Sequence, residues 1–237
     1  MNRLTKFLLC AILCFSLPAS VLAQDMPKIF VPQPHWDFGK TPKGGIISHK
    51  YWTKNVGSRV LYIIKVRPGC GCTQAPLEKL FIPPNDSAPA ELVFNSTSFS
   101  GKSKKGAIIV STDSITGQVS IDFTVDVVAH FDSTYPLYFQ PCSLTFVPTS
   151  KAQQIDIKNV SPGKVGLKII DSPDEYFQVS LTKGRLPAGK SCKLKIQNKK
   201  GLPMESSFKS ITLEATGDSS YRFTLPIRWI GWDEKKK

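Results

Sequence analysis

Lys54-Asn55-Val56-Gly57 followed by Val60-Leu61-Tyr62-Ile63-Ile64 returns later in the chain as Lys158-Asn159-Val160-Ser161 followed by Val165-Gly166-Leu167-Lys168-Ile169-Ile170. Outward from this pair the correspondence continues. Ile82-Pro83-Pro84-Asn85 leading to Leu92-Val93-Phe94-Asn95 matches Leu186-Pro187-Ala188-Gly189 leading to Leu194-Lys195-Ile196-Gln197-Asn198. Ala107 to Val110 with Val119 to Val127 matches Ile211-Thr212-Leu213 with Tyr221 to Trp229. The offset stays between about 102 and 104 residues, so one structural unit is written twice.

Each copy reads as strands. Ile47, His49, Tyr51 and Thr53 alternate with polar or exposed positions, as do Val119, Ile121, Phe123, Val125 and Val127, and Leu225, Ile227 and Trp229; this is the period of two expected of half-buried strands. Turn residues punctuate them at Lys43-Gly44-Gly45, Pro83-Pro84-Asn85-Asp86, Thr116-Gly117, Ser161-Pro162-Gly163 and Gly217-Asp218. Six or seven short strands in about 100 residues, with no helical period, point to an immunoglobulin-like sandwich. The expected architecture is all-β: two tandem immunoglobulin-like β-sandwich domains, 28–131 and 136–232, joined by Asp132-Ser133-Thr134-Tyr135-Pro136.

The first residues set the expected compartment. Arg3 and Lys6 precede an apolar run from Phe7 to Phe15, and Pro18 with Val21-Leu22-Ala23 forms a small-x-small cleavage site; this is the pattern of a cleaved secretory signal peptide, residues 1–23. The apolar run falls short of the roughly 20 residues of a membrane span. Cys10 and Cys14 lie in the leader, but Leu9 and Leu13 stand where a lipobox needs a small residue. The expected product is exported, periplasmic or extracellular, and soluble.

The chain carries 31 Lys and Arg against 18 Asp and Glu. Losing Arg3 and Lys6 with the leader leaves a formal charge of +11, which draws the protein toward anionic surface polymers or keeps it soluble. The basic residues are spread over several loops instead of lining one helix or aromatic groove, so nucleic acid is not an expected partner.

Cys70-Gly71-Cys72-Thr73 is the motif that the second copy lacks. Two cysteines one residue apart in an extended chain have Cα atoms near 6.6 Å, the upper edge of what a disulfide accepts, so a bridge requires a bend at Gly71. Three readings stay open: a local bridge or structural thiols, thiol-redox or mixed-disulfide chemistry, and copper(I) handling by two soft sulfurs. Zinc would need two further ligands. In the second copy, Cys142 shares strand parity with Leu144 and Phe146, and Cys192 with Leu194 and Ile196, making Cys142–Cys192 a candidate structural disulfide.

Trp36-Asp37-Phe38-Gly39, His49 to Gly57, Leu61 to Val66 running into Cys70-Gly71-Cys72-Thr73, Ile82-Pro83-Pro84 and the strand Leu92 to Asn95 form an ordered series. The series resembles the exported bacterial family called domain of unknown function 1573, which is itself similar to the hydin and major-sperm-protein type of immunoglobulin-like module. The resemblance covers about residues 30 to 128 and implies a fold and an exported setting, not an activity. Gly69 stands where that family has Ser, and Asn85 where it has Gly; Asn accepts the positive φ such a turn needs.

No nucleophile elbow, zinc-binding His-Glu-x-x-His or phosphate loop occurs, and only His35, His49 and His130 are available as imidazoles. His49 lies on the Tyr51 face of its strand and reads as a core or rim histidine. No catalytic residue and no cofactor is implied. The leading expectation is a non-enzymatic adaptor binding a cell-envelope protein or an anionic surface polymer, with Trp52, opposite Tyr51 on its strand, as the partner contact. The alternatives are a redox or copper protein using Cys70 and Cys72, and a periplasmic chaperone donating the alternating strand Val119 to Val127.

Overall fold

The computed structural model describes residues 25–76, 79–131, 134–199 and 204–232. The leader at 1–23 lies outside the described residues, as do Asp132 and Ser133 of the expected linker. The described residues contain no α-helix, and none of their segments is a helix long and apolar enough to cross a membrane. The all-β sandwich expectation holds.

The first half contains β1 (Ile29–Phe30), β2 (His35–Pro42), β3 (Ile46–Asn55), β4 (Leu61–Pro68), β5 (Thr73–Gln74), β6 (Phe81–Ile82), β7 (Ser87–Asn95), β8 (Gly101–Ser111) and β9 (Gln118–Val128). The second contains β10 (Leu137–Gln140), β11 (Leu144–Phe146), β12 (Ala152–Asn159), β13 (Val165–Asp171), β14 (Phe177–Leu181), β15 (Arg185–Leu186), β16 (Ser191–Asn198), β17 (Ser207–Thr216) and β18 (Ser220–Trp229). One small sheet runs β1-β3-β7-β5 and its counterpart β10-β12-β16-β14. Each half buries its own apolar cluster, the first around Phe38, Phe94 and Phe123, the second around Phe146, Phe177 and Phe223.

The halves are joined through backbone as well as side chains. The larger sheet continues across them in the order β15-β13-β17-β18-β2-β9-β8-β4-β6, with β18 and β2 parallel at Phe223 and Lys40. Gly39 makes this junction possible. It sits in the bulge of β2 at φ +63°, and a Cβ there would collide with the carbonyl oxygen of Arg222 on β18. Thr224 Oγ1 donates to the Phe38 carbonyl at 2.6 Å, and Arg222 Nη1 to that of Asp37 at 3.3 Å.

The repeated Lys-Asn-Val motif has a physical cause. Asn55 is fully buried; its Nδ2 donates to the carbonyls of Arg59 (2.7 Å) and Ile82 (2.9 Å), while its Oδ1 accepts from Gly57 N (3.0 Å) and Lys28 N (3.3 Å). Asn159 repeats the arrangement with Gly163 O (2.8 Å), Leu186 O (2.9 Å) and Ser161 N (2.9 Å). The main chain repeats as well, since Asn85 N donates to Asn55 O and Gly189 N to Asn159 O. Asn85 and Gly189 occupy the same left-handed corner at φ 62° and 68°. One amide side chain thus ties together the end of a strand, the turn after it and the short strand paired with the next, β6 or β15. An apolar residue of that shape could satisfy none of these backbone groups.

Asp113 anchors the first strand. Its carboxylate accepts from Ile29 N (2.9 Å), Ile115 N (2.8 Å) and Thr116 N (2.9 Å). Burial opposes its ionisation, but the N–H groups of Thr116, Ile29 and Ile115 and the Lys28 charge outweigh that and hold the carboxyl below its usual range. A lowered native value means a stabilisation present above the unfolded value near 3.9 and lost as pH falls through the folded one. Asp113→Asn should therefore lower the melting temperature at pH 7 and lose less of it than the parent between about pH 5 and pH 2. Equal acid sensitivity of both proteins in thermal melts would show that Asp113 is not part of the acid response.

Candidate functional site

Two places gather the residues singled out by the sequence. The first is the loop between β4 and β5. Arg67 and Pro68 end β4, Gly69 N donates to Gly106 O at 2.8 Å, and the chain turns through Gly71, so that Thr73 N reaches Cys70 O at 3.3 Å. The turn shortens the Cys70–Cys72 Cα separation to 5.3 Å and brings the two sulfurs to bonding distance. Neither Gly69 nor Gly71 needs a left-handed backbone to do so, and a Cβ at Gly71 would point into open space. Thr73 is buried, and its hydroxyl lies 3.5 Å from Cys70 Sγ and 3.8 Å from Cys72 Sγ. Cys72 leans on the apolar cluster, whereas Cys70 faces a groove of about 720 Å³ lined also by Arg67, Lys104 and Lys105. Among the described residues no group of three or more His, Cys, Asp or Glu side chains is arranged to hold a metal ion.

The second place is a cleft of about 670 Å³ between the halves. Its floor is a buried ion pair: Lys209 Nζ of β17 donates to both oxygens of Glu91 of β7, at 2.9 and 2.8 Å, with side chains 7% and 8% exposed. Lys209 also lies 4.9 Å from the ring centre of Tyr176. Ser48 and Ser210 exchange hydrogen bonds beside the pair, Ser210 Oγ donating to Ser48 O at 2.7 Å and Ser48 N to Ser210 Oγ at 3.2 Å.

One wall is aromatic and basic, the other acidic. His49 stacks on Trp36 at 3.9 Å between ring centres, and its Nδ1–H donates to the Asp171 carboxylate at 2.6 Å. The Arg222 guanidinium lies 5.5 Å from the Trp36 ring centre, so Arg222 and Asp171 of the second half flank the Trp36–His49 stack of the first. Lys50 pairs with Glu175 at 2.7 Å. Trp52 and Lys54 stand on the same face of β3 as Lys50, with Trp52 52% exposed at the rim. Tyr51 points the other way, into the core, where burial and the Asp122 and Asp171 charges push its hydroxyl well above the usual tyrosine range.

Two expectations are corrected. The Cys142–Cys192 bridge is not formed; both thiols are free. Cys192 lies on β16 opposite Ile157, and β12 separates β16 from β10, two strand spacings or about 9.6 Å away, while Cys142 follows the end of β10. A disulfide needs Cα atoms within about 7 Å. Burial pushes the Cys192 thiol up, as for an inert core cysteine. The expected donor strand Val119 to Val127 has no free edge from Asp122 onward either, because β9 is paired there with β2 on one side and β8 on the other. Among the described residues, strands at the sheet ends, such as β5, β10 and β14, have an open side for another chain.

His35, at the start of β2, pairs with Asp122 and is half-exposed. Asp171, Glu91 and Lys209 were not singled out by the sequence. Their signal is weak but present: each is a charged residue within or ending a strand, Glu91 stands among the apolar Ala90, Leu92 and Val93, and Lys209 opens the run Lys209–Leu213 that is buried on both faces.

Residues 30–127 match the family described as "Protein of unknown function (DUF1573)", so the resemblance carried by the cysteine motif and its flanking strands holds over the first half. No curated protein matches the chain. Among solved structures, a protein of unknown function from Porphyromonas gingivalis W83 aligns over 85% of this chain and 99% of its own, at 12% identity and a TM-score of 0.35. The YadV chaperone aligns over 84% and 98%, at 11% identity and 0.33, and the tandem Ig repeats of Dlar over 86% and 97%, at 10% and 0.36. Likenesses at this level bear on no function.

Proposed function

We propose that the protein is a non-enzymatic, exported binding module of the cell envelope, and that it docks a segment of an envelope protein in the cleft between its halves. The observation that carries this reading is the exposed Trp52 at the rim of a cleft whose floor is already satisfied internally. Glu91 is engaged by Lys209, Asp171 by His49 and Glu175 by Lys50. Charges tied to one another in this way brace two walls instead of waiting for a substrate. The walls also differ in sign, with Lys50 and Lys54 on one and Asp171, Asp174 and Glu175 on the other. A uniformly anionic polymer would meet repulsion from the second wall, whereas a protein segment can present both signs. A large aromatic with half its surface in water gains by being covered.

The test places a photoreactive phenylalanine analogue at position 52 in intact cells, with Ile115, which is 73% exposed on the loop between β8 and β9, as the control position. A defined protein adduct from position 52 and not from 115 is expected, and Trp52→Ala should weaken binding of that partner by about 30-fold, as loss of an aromatic anchor does. The fold should be unaffected, with a stability change within about 1 kcal/mol. Adducts from both positions, or a polymer adduct alone, would overturn the cleft as the docking site. A partner retained in full by Trp52→Ala would shift attention to the sheet-end strands.

A further inference from the structure

The cysteine loop is independent of that cleft, and its surroundings differ from those of a structural staple. The second half reaches the corresponding point, after β13, with Ser172-Pro173-Asp174-Glu175, so the sandwich closes without sulfur there. A bridge across one residue also restrains the unfolded chain little, since that effect grows with the length of the closed loop. The loop is instead pinned by its backbone: Gly69 to Gly106, Thr73 to Cys70, and Asn95 N to Cys72 O at 3.1 Å. None of these bonds runs through the sulfurs. The two sulfurs are unequal. Cys70 opens on the groove lined also by Arg67, Lys104, Lys105 and Asp122, the last paired with Lys104, while Cys72 rests against the apolar cluster; the buried Thr73 hydroxyl lies between them, 3.5 Å from Cys70 Sγ and 3.8 Å from Cys72 Sγ.

We propose that Cys70 and Cys72 form a thiol–disulfide exchange site that accepts electrons from an anionic dithiol partner, with Cys70 as the sulfur attacked. The partner's thiolate approaches over Arg67 and Lys105 and attacks Cys70 Sγ. A bond forms between the partner sulfur and Cys70, the Cys70–Cys72 bond breaks, and its electron pair leaves on Cys72, where the Thr73 hydroxyl can donate to the new thiolate. The partner's second thiol loses its proton to solvent and attacks the partner sulfur in the mixed disulfide. Cys70 then leaves as a thiolate, both cysteines take protons from solvent, and the partner departs as a disulfide. Two electrons and two protons have passed from the dithiol to the Cys70–Cys72 pair. Attraction of the incoming anion by the groove and attack on the sulfur that faces it are the two features that set the rate.

The experiment uses the oxidised full chain with two monothiol probes, glutathione, which is anionic, and cysteamine, which is cationic. Glutathione is expected to form a mixed disulfide faster than its own thiol reactivity requires, and added salt should slow it. Arg67→Gln with Lys105→Gln should slow glutathione by about three- to tenfold while leaving cysteamine unchanged or faster. Peptide mapping should find the probe on Cys70. Reduction by dithiothreitol should leave near-ultraviolet circular dichroism intact, and Cys70→Ser with Cys72→Ser should melt as the parent does. A probe found on Cys72, equal slowing of both probes by the charge variant, or unfolding on reduction would each overturn the proposal.

Discussion

Lys209→Met is expected to destabilise the protein by roughly 3–5 kcal/mol, the cost of leaving a carboxylate buried without its cation. Glu91 is 8% exposed, and both of its side-chain oxygens are occupied by Lys209 Nζ. Without the ammonium group, the Glu91 carboxylate is left buried without a partner or draws water between the halves. Glu91→Leu combined with Lys209→Met should recover most of the loss, because no uncompensated charge remains and the space can be filled by apolar groups. Denaturant melts of the parent, both single variants and the double variant measure the coupling directly. A Lys209→Met change within about 1 kcal/mol of the parent would mean that water already reaches the pair, as it reaches ordinary surface ion pairs.

The strands were legible because their cause is local. Alternation in Val119 to Val127 survives as alternating burial along β9, and Asn85 adopts the positive φ that the turn after Pro83-Pro84 requires. The repeat was legible for the same reason, since Asn55 and Asn159 bond mainly to groups within a few residues or across one short strand pair. The contact between halves was not. Glu91 and Lys209 are 118 residues apart, Ser48 and Ser210 are 162 apart, and each polar residue taken alone reads as the solvent face of a strand. What marks them in the structure is burial on both faces, as in Lys209-Ser210-Ile211-Thr212-Leu213, which a period-two reading assigns half to water. The cysteine loop was half-legible: the bend at Gly71 followed from strand geometry, but the basic groove depends on β8 being placed alongside β4, a pairing that brings Lys104 and Lys105 to Cys70 across more than thirty residues. The Cys142–Cys192 expectation failed because parity tells which face a side chain points to and nothing about how many strands stand between two of them.

Asn55→Ala should destabilise the first half by roughly 3–5 kcal/mol, and Asn159→Ala the second by a similar amount, since each truncation strands several buried backbone groups at about 1–3 kcal/mol apiece. The carbonyls of Ile82 and Leu186 are the most consequential, because each belongs to a short strand that has one paired edge and depends on the amide for its other anchor. Asn55→Asp separates hydrogen bonding from packing. It keeps the volume and the acceptor for Gly57 N, but it places a carboxylate against two carbonyl oxygens where a donor is needed, so it should be at least as damaging as alanine at pH 7 and less so at low pH, where the protonated acid regains one donor. Hydrogen exchange gives the local readout. Loss of protection in β6 and the corner at Asn85 after Asn55→Ala, with β15 and Gly189 unchanged, would show that each half relies on its own asparagine. Loss in both halves together would show instead that the continuous sheet through β2 and β18 couples them into one cooperative unit.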